Sequence, residues 1–242
     1  MRLDKFLSVC AVASRSDAKR AISKGAVLVN GVAARGSDMN IDPESDSVSF
    51  CGVPVVYRAY EYVVLNKPLG YVSATEDKKE MTVLDLLTPE LRKKGVFPCG
   101  RLDKNTLGLM LITNNGELSH RLLSPKNHVE KKYYFKAKNP LTLAQTERFR
   151  NGLTLDDGYE TKPAEISLLG EGNEGIITLR EGKYHQIKRM LEALDNKITY
   201  LERISFANLE LSECGLERGE WRYLNDDEIA ELERIAGFDK NK

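Results

Sequence analysis

The 242-residue sequence has few cysteines, and none of them stands in a redox or metal-binding spacing. Their wide separation argues against a disulfide framework and against a structural zinc site. The cysteines are Cys10, Cys51, Cys99 and Cys214. The sequence also lacks an apolar run long enough to span a membrane, and its first residues lack a signal-peptide core. We therefore expect a cytoplasmic protein with no membrane association.

Motifs for bound cofactors are missing as well. No glycine-rich loop of the phosphate-binding type occurs, and no cluster of His, Cys, Asp and Glu has metal-ligand spacing. We therefore expect no cofactor and no metal. A hydrophobic content of 41% and a charged content of 30% are ordinary for a globular protein. The length suits one medium domain together with a small one.

Net charge is zero, but its distribution along the chain is uneven. Acidic residues are concentrated between positions 213 and 233, whereas the first 35 residues are basic. A basic segment of this kind indicates a phosphate-binding face, although a solvated basic surface is the alternative. Its basic residues are Arg2, Lys5, Arg15, Lys19, Arg20, Lys24 and Arg35.

The N-terminal segment is predicted to form a small domain over residues 1–58. Apolar spacing predicts a helix near its start and a second helix over about 16–24. Residues 26–33 are typical of a hairpin with an Asn30-Gly31 turn. No linker-type composition marks the end of this domain. Its boundary is placed near residues 56–60 because the next predicted strand begins at residue 62.

The remainder, residues 59–236, alternates many short strand signals with few helices. This pattern predicts an α+β fold with a mixed, mostly antiparallel sheet. Predicted strands cover 62–65, 96–97, 109–113, 132–138, 164–169, 175–179 and 198–211, and predicted helices cover 83–87, 116–123, 142–150, 184–194 and a segment capped by Asn225.

Asp103 lies in a polar loop between two predicted strands, with Gly100 before it and Gly108 after it. A carboxylate on a loop whose ends are fixed by strands is well placed for chemistry, and the glycines permit close approach of another group. A solvated turn aspartate is the alternative for this residue taken alone.

The whole stretch around Asp103, residues 101–116 (RLDKNTLGLMLITNNG), closely resembles the catalytic motif of the pseudouridine synthases, and in particular the RsuA-type branch that modifies ribosomal RNA. Three further segments resemble that branch in the same order: 66–70 (NKPLG), 130–133 (EKKY) and 181–190 (EGKYHQIKRM). The N-terminal segment resembles the RNA-binding domain first described in ribosomal protein S4. Together these resemblances cover nearly the entire chain.

The resemblance implies an isomerase that converts a uridine of ribosomal RNA to pseudouridine without a cofactor. Asp103 would be its catalytic carboxylate, acting as nucleophile or base beside the ribose. A nearby cation favours the ionised form of a carboxylate; Lys188 is the candidate for this role and Arg189 is the alternative. Tyr133 would stack on the uracil, although a tyrosine of the sheet core is also possible.

Enzymes that act on a stacked base flip it out of the helix. Arg101 resembles the family arginine that enters the gap left by the base, and an ion pair that braces the loop is the alternative. Further predicted RNA contacts are Lys67, His185, Gln186 and Arg189 beside the site, and Arg2, Lys5, Arg15, Lys19 and Arg20 in the first domain. For His185, packing is an alternative, and Lys67 could belong to a plain loop between strands.

The RsuA-like motifs point to a uridine of small-subunit (16S) rRNA, with a large-subunit target as the alternative inside the class. A non-catalytic RNA-binding assembly factor is a second class, which an intact set of Asp103, Tyr133 and Lys188 argues against. A glycoside-cleaving enzyme is a third, but such enzymes use paired carboxylates. Ribosomal RNA or an assembling ribosomal subunit is the expected partner, and we expect a monomer.

Overall fold

A computed structural model describes residues 1–124, 126–127 and 129–238 of the chain. The chain divides into two compact units, Met1–Glu61 with Pro89–Gly95, and Tyr62–Thr88 with Val96–Lys242. This division lies slightly beyond the boundary predicted at residues 58/59, and the grouping of Pro89–Gly95 with the first unit was not predicted. In the described part of the chain, no helix is both long and apolar enough to cross a membrane.

The first unit consists of short helices and a four-stranded antiparallel sheet. Its elements are α1 (Leu3–Val9), α2 (Arg15–Ser23), β1 (Val27–Val29), β2 (Val32–Ala33), β3 (Val48–Phe50), β4 (Val53–Val55) and α3 (Pro89–Lys93). The strand order is β2-β1-β3-β4. Asn30 and Gly31 both have positive φ, 52° and 77°, which suits the predicted two-residue turn between β1 and β2. Ser14 caps α2 by accepting a hydrogen bond from the Asp17 N–H over 3.1 Å.

The second unit is built around a nine-stranded sheet in the order β13-β5-β7-β11-β8-β10-β9, with β6 paired to β7 and β12 to β11. These strands are β5 (Tyr62–Lys67), β6 (Phe97–Pro98), β7 (Leu107–Thr113), β8 (Lys131–Ala137), β9 (Glu165–Leu169), β10 (Glu174–Leu179), β11 (Ile198–Phe206), β12 (Leu209–Glu210) and β13 (Trp221–Tyr223). Every pairing is antiparallel except the parallel one between β7 and β11. The predicted α+β class with a mixed, mostly antiparallel sheet is therefore confirmed.

The helices of this unit are α4 (Gly116–Leu123), α5 (Leu143–Asn151), α6 (Gln186–Glu192), α7 (Leu211–Cys214) and α8 (Asp226–Ile235), with one 3-10 turn at Val83–Leu86. Capping boxes at Thr142 and Asn225 start α5 and α8. The helix predicted over 184–194 is shorter than expected. His185 has a left-handed backbone with φ 50°, so α6 begins only at Gln186.

Gly108 allows β7 and β11 to meet side by side. Its φ is 106°, and a Cβ at this position would lie 2.2 Å from the Arg203 carbonyl oxygen and 2.8 Å from the Arg203 nitrogen. No side chain fits in that space, and L-residues rarely adopt this backbone conformation. The parallel pairing brings β7, which follows the Asp103 loop, against β11, and this places the loop beside the strands that line the site.

Candidate active site

The loop that carries Asp103 connects β6 to β7, and the buried side chain of Lys67 supports it through hydrogen bonds to its backbone. Lys67 is the last residue of β5 and is 0% exposed. Its ammonium donates to the carbonyl oxygens of Pro68 over 3.0 Å, Thr106 over 2.8 Å and Lys104 over 3.4 Å. The turn after β5 and the second half of the Asp103 loop are thereby held together.

This placement argues against the predicted RNA contact of Lys67, because its ammonium is buried and donates to three backbone carbonyls. Burial lowers the pKa of Lys67 to about 8; the negative charge of Asp103 opposes this shift and the positive charge of Lys188 adds to it. Lys67 therefore acts on the site by shaping the Asp103 loop.

Ser73 fixes the other half of the loop. Its hydroxyl accepts a hydrogen bond from the Leu102 N–H over 2.9 Å and donates one to the Leu102 carbonyl over 2.7 Å. The Gly70 N–H donates to the Lys104 carbonyl over 3.0 Å. Both neighbours of Asp103 are thus held through the backbone. Ser73 was not among the predicted site residues, because a single serine in a polar segment carries no recognisable pattern.

Lys188 is the cation that pairs with Asp103. Its Nζ donates to Asp103 Oδ2 over 2.6 Å, and His185 Nε2 lies 3.4 Å from Asp103 Oδ1. Arg189, the alternative, instead forms ion pairs with Asp156 and Asp157. In the structure, Lys188 and not Arg189 therefore pairs with Asp103, and Arg189 braces the 156–157 turn. The RNA contact of Arg189 stays a prediction.

Glu181 organises the turn that leads into α6. Its buried carboxylate accepts hydrogen bonds from the Gln186 side chain over 2.6 Å, the Tyr159 hydroxyl over 2.7 Å and the Lys162 N–H over 2.9 Å. Gln186 also accepts from the Lys183 N–H over 3.0 Å and is only 4% exposed. Gln186 therefore has a structural role in this turn; it also lines the cleft, and its RNA contact stays a prediction. Glu181 belongs to the motif segment 181–190, but nothing in the sequence distinguished its role.

Asp103 and Lys188 line a cleft of about 630 Å³. Tyr133, which is 9% exposed on β8, contributes to its wall. The imidazole of His185 also lines the cleft and is stacked on the Tyr184 ring, with centroids 3.8 Å apart. The structure thus brings the three predicted catalytic side chains to one cavity. Lys131 and Arg203 line it too, although neither was among the predicted site residues.

Arg101 lies at the rim of this cleft and is exposed. Within residues 1–124, 126–127 and 129–238, the structure shows no hydrogen bond or ion pair for its guanidinium. Of its two predicted roles, the ion pair that braces the loop is therefore not formed.

The basic residues of the first unit lie on its surface. Arg15, Lys19 and Lys5 are exposed, whereas Arg20 is paired with Asp17 and Arg2 with Asp4 over 3.0 Å.

Comparisons with known proteins agree with this geometry. The family model "RNA pseudouridylate synthase" matches residues 61–193, and the S4 domain model matches residues 1–46. The chain is 43% identical over 232 residues to an uncharacterized RNA pseudouridine synthase of Bacillus subtilis, covering 95% of this chain and 97% of that protein. It is 37% identical over 234 residues to ribosomal small subunit pseudouridine synthase A of Escherichia coli, covering 96% and 100%.

A solved structure described as a pseudouridylate synthase superimposes with a TM-score of 0.67 at 35% identity. The alignment covers 96% of this chain and 99% of that one. The family match, the full-length relatives and the cleft around Asp103 are in agreement: the chain belongs to the RNA pseudouridine synthase family, with an S4 domain ahead of the synthase domain.

Proposed function

We propose that the protein converts a uridine of small-subunit (16S) ribosomal RNA to pseudouridine, with Asp103 as the catalytic carboxylate. The observation that carries this proposal is the Asp103–Lys188 pair, which faces a cleft large enough for a nucleoside. The relatives from Escherichia coli and Vibrio cholerae that are named ribosomal small subunit pseudouridine synthase A, each 37% identical, support the small-subunit target.

The reaction breaks the bond between uracil N1 and ribose C1′ and forms a bond between uracil C5 and the same carbon. C5 loses a proton and N1 gains one, so no electrons are transferred to or from the nucleoside. Asp103 acts beside C1′ as nucleophile or base. Lys188 orients the carboxylate and balances its charge, and Tyr133 stacks on the uracil ring.

The target base must leave the RNA stack before it can enter the cleft, at a cost of a few kcal/mol. The exposed guanidinium of Arg101, at the rim of the cleft, would fill the gap that the base leaves. The first unit, with its exposed Arg15 and Lys19, holds the RNA backbone. The enzyme acts in the cytoplasm as a monomer, on rRNA or on an assembling subunit.

Mapping of pseudouridines in rRNA from cells with and without the gene tests this proposal. We expect one position of 16S rRNA to lose its pseudouridine on deletion. The wild-type gene should restore it, and a gene encoding Asp103→Asn should not. Loss at a position of 23S rRNA would move the target to the large subunit, and an unchanged map would contradict the proposal.

A further inference from the structure

Two buried basic side chains lie at the base of the same cleft. Arg203 on β11 is 1% exposed and Lys131 on β8 is 8% exposed, and both line the cavity that contains Asp103. Arg203 is the register partner of Tyr133 across the antiparallel β8–β11 pair. Partners in this position project to the same face of a sheet, as do Lys131 and Tyr133 two residues apart.

Both cations lie over the Phe206 ring, whose centroid is 5.0 Å from the Arg203 guanidinium carbon and 5.6 Å from Lys131 Nζ, but an aromatic ring supplies no counter-charge. Arg203 Nε donates to the Leu109 carbonyl over 2.7 Å, but its Nη2 is buried and has no hydrogen-bond partner within the described part of the chain. Lys131 Nζ donates to the Val129 carbonyl over 3.1 Å. Among the residues that the structure describes, no carboxylate forms an ion pair with either side chain. Burial, together with the positive charge of Arg203, lowers the pKa of Lys131 to about 8.

Two neighbouring buried cations without an anion are destabilising, because each has lost its hydration without gaining a counter-charge. Features that reduce stability in this way are concentrated at functional sites. A ligand that brings negative charge to the base of the cleft would supply the missing partner.

We propose that Arg203, together with Lys131, binds the carbonyl oxygens of the target uracil and stabilises the negative charge that the base carries once its bond to ribose is broken. This inference rests on the proposed function. The electron pair of the N1–C1′ bond leaves with the base, whether Asp103 bonds to C1′ or removes a ribose proton. The resulting charge is shared by N1 and the two carbonyl oxygens of the ring.

This arrangement also suits the rotation of the base. The carbonyl oxygens keep part of the charge while the ring turns to present C5 to C1′, so donors at the ring edge can hold the detached base throughout. Tyr133 would hold its face from the neighbouring strand. When the C5–C1′ bond forms, Asp103 is released or returns its proton, C5 gives up its hydrogen as a proton and N1 takes one up.

Single-turnover rates on an rRNA fragment test the contact directly. The variants are Arg203→Lys and Lys131→Met. The control is Arg222→Lys, because the guanidinium of Arg222 is paired with Glu228. Loss of one preorganised charge-stabilising group typically slows a reaction about 100-fold. We expect losses of that order for the two variants and less than about twofold for the control. The inference would be overturned if both single variants, Arg203→Lys and Lys131→Met, reacted at the wild-type rate.

Substrates with sulfur in place of uracil O2 or O4 then distinguish contact from indirect effects, because sulfur accepts hydrogen bonds poorly. The wild-type enzyme should discriminate against one of the thio-substituted RNAs. This discrimination should shrink towards unity in Arg203→Lys, since the contact is already lost. An unchanged discrimination ratio in both variants would show that neither side chain touches the carbonyl groups.

Two further readouts do not depend on the RNA target. Lys131→Met removes a buried, uncompensated charge, so its melting temperature should equal or exceed that of the wild type; a marked decrease would indicate a structural lysine and overturn its assigned role. The anion of barbituric acid resembles detached uracilate, and its binding can be followed by ligand-observed NMR. We expect Arg203→Lys to weaken this binding about tenfold or more, and Asp103→Asn to preserve it.

If the wild-type enzyme forms no pseudouridine in rRNA but binds barbiturate through Arg203, the proposed function fails while the inference about the anion site stands. If it forms pseudouridine but Arg203→Lys binds barbiturate as tightly as the wild type, the inference fails alone.

Discussion

The Lys188 ammonium lies 2.6 Å from the Asp103 carboxylate, although the two residues are 85 positions apart in the sequence. About a quarter of each side chain is exposed. Successive residues of an α-helix point about 100° apart, so only one of the adjacent pair Lys188 and Arg189 can face Asp103. The other, Arg189, points to Asp156 and Asp157. The orientation of α6 therefore decides which cation serves the carboxylate.

Asp103→Asn keeps the shape of the side chain and removes its charge. We expect it to abolish turnover, because an amide can act neither as a nucleophile nor as a base at ribose C1′. RNA affinity should change little, since phosphate contacts elsewhere dominate binding. Single-turnover assays and filter binding on the same rRNA fragment measure both quantities. Asp227→Asn, at an exposed position of α8, is the control; measurable turnover by Asp103→Asn would refute the catalytic assignment.

Lys188→Met and Arg189→Met form a matched pair on neighbouring positions of α6. Lys188→Met leaves the partly buried Asp103 without its cation, so we expect a rate loss of about 100-fold, and Lys188→Arg should recover part of it. Arg189→Met should cost less than about tenfold, because its carboxylate partners are exposed and such pairs contribute little. Rate constants at saturating enzyme provide the comparison. Equal defects in the two methionine variants would contradict the assignment of Lys188 as the partner.

The sequence predicted elements whose signals are local. The Asn30-Gly31 turn, the Thr142 and Asn225 caps and the buried strand that contains residues 109–113 all agree with the structure. Short elements without an apolar pattern were missed, among them β13, which has three residues and is ordered by its pairing with β5. Its local sequence gives no reason to distinguish it from a loop.

Within the site, the motifs predicted which residues meet but not how their neighbours hold them. Burial of Lys67 depends on backbone carbonyls that come from two separate loops. Arg203 could have been predicted as a buried cation, because it stands two residues from both Leu201 and Ser205 and shares their buried positions on β11. Its lack of a counter-charge, however, is a property of the packed sheet. The absence of a counter-charge near Arg203 depends on which strands pack together, and the local sequence does not show this.

Gly108→Ala should destabilise the second unit by about 3 kcal/mol or more, because its Cβ would overlap the backbone of β11 and the residue would keep a left-handed φ. Gly116→Ala is the control: an added Cβ there meets no atom within 4 Å, and alanine favours the helix α4 that begins at this residue. Chemical unfolding measures both free energies. Equal stability of the two variants would show that the close approach of β7 and β11 is not required.

Replacement of Arg15, Lys19 and Arg20 by alanine should weaken RNA binding without changing the maximal single-turnover rate. Each phosphate contact that is lost should reduce the slope of log K against log salt by about one unit, because fewer counterions are released. Arg20 should contribute least, since it is already paired with Asp17. Binding titrations across salt concentrations, with Arg150→Ala on α5 as the control, measure the slope. An unchanged slope in the triple variant would place the RNA on another surface.

Lys67 should make stability depend on pH in a defined window. Burial lowers its pKa in the folded protein from 10.5 to about 8. Between these values the unfolded chain keeps a proton that the folded protein has released, so the free energy of unfolding should rise with pH. At about 1.4 kcal/mol per pKa unit the increment is about 3 kcal/mol. Its sign is opposite to that of an ordinary ion-paired lysine, whose stabilisation is lost as pH rises.

Lys67→Met isolates this contribution, and the informative quantity is the change with pH and not the absolute stability, because the variant also loses three hydrogen bonds. Urea unfolding at neutral pH and at about pH 10, followed by fluorescence of Trp221 on β13 beside β5, reports on the second unit. We expect the wild type to gain more stability than Lys67→Met, and Lys197→Met, at an exposed position, to behave like the wild type. Identical pH dependence in wild type and Lys67→Met would mean that Lys67 is not desolvated in the folded protein, and the support it gives to the Asp103 loop would then need another explanation.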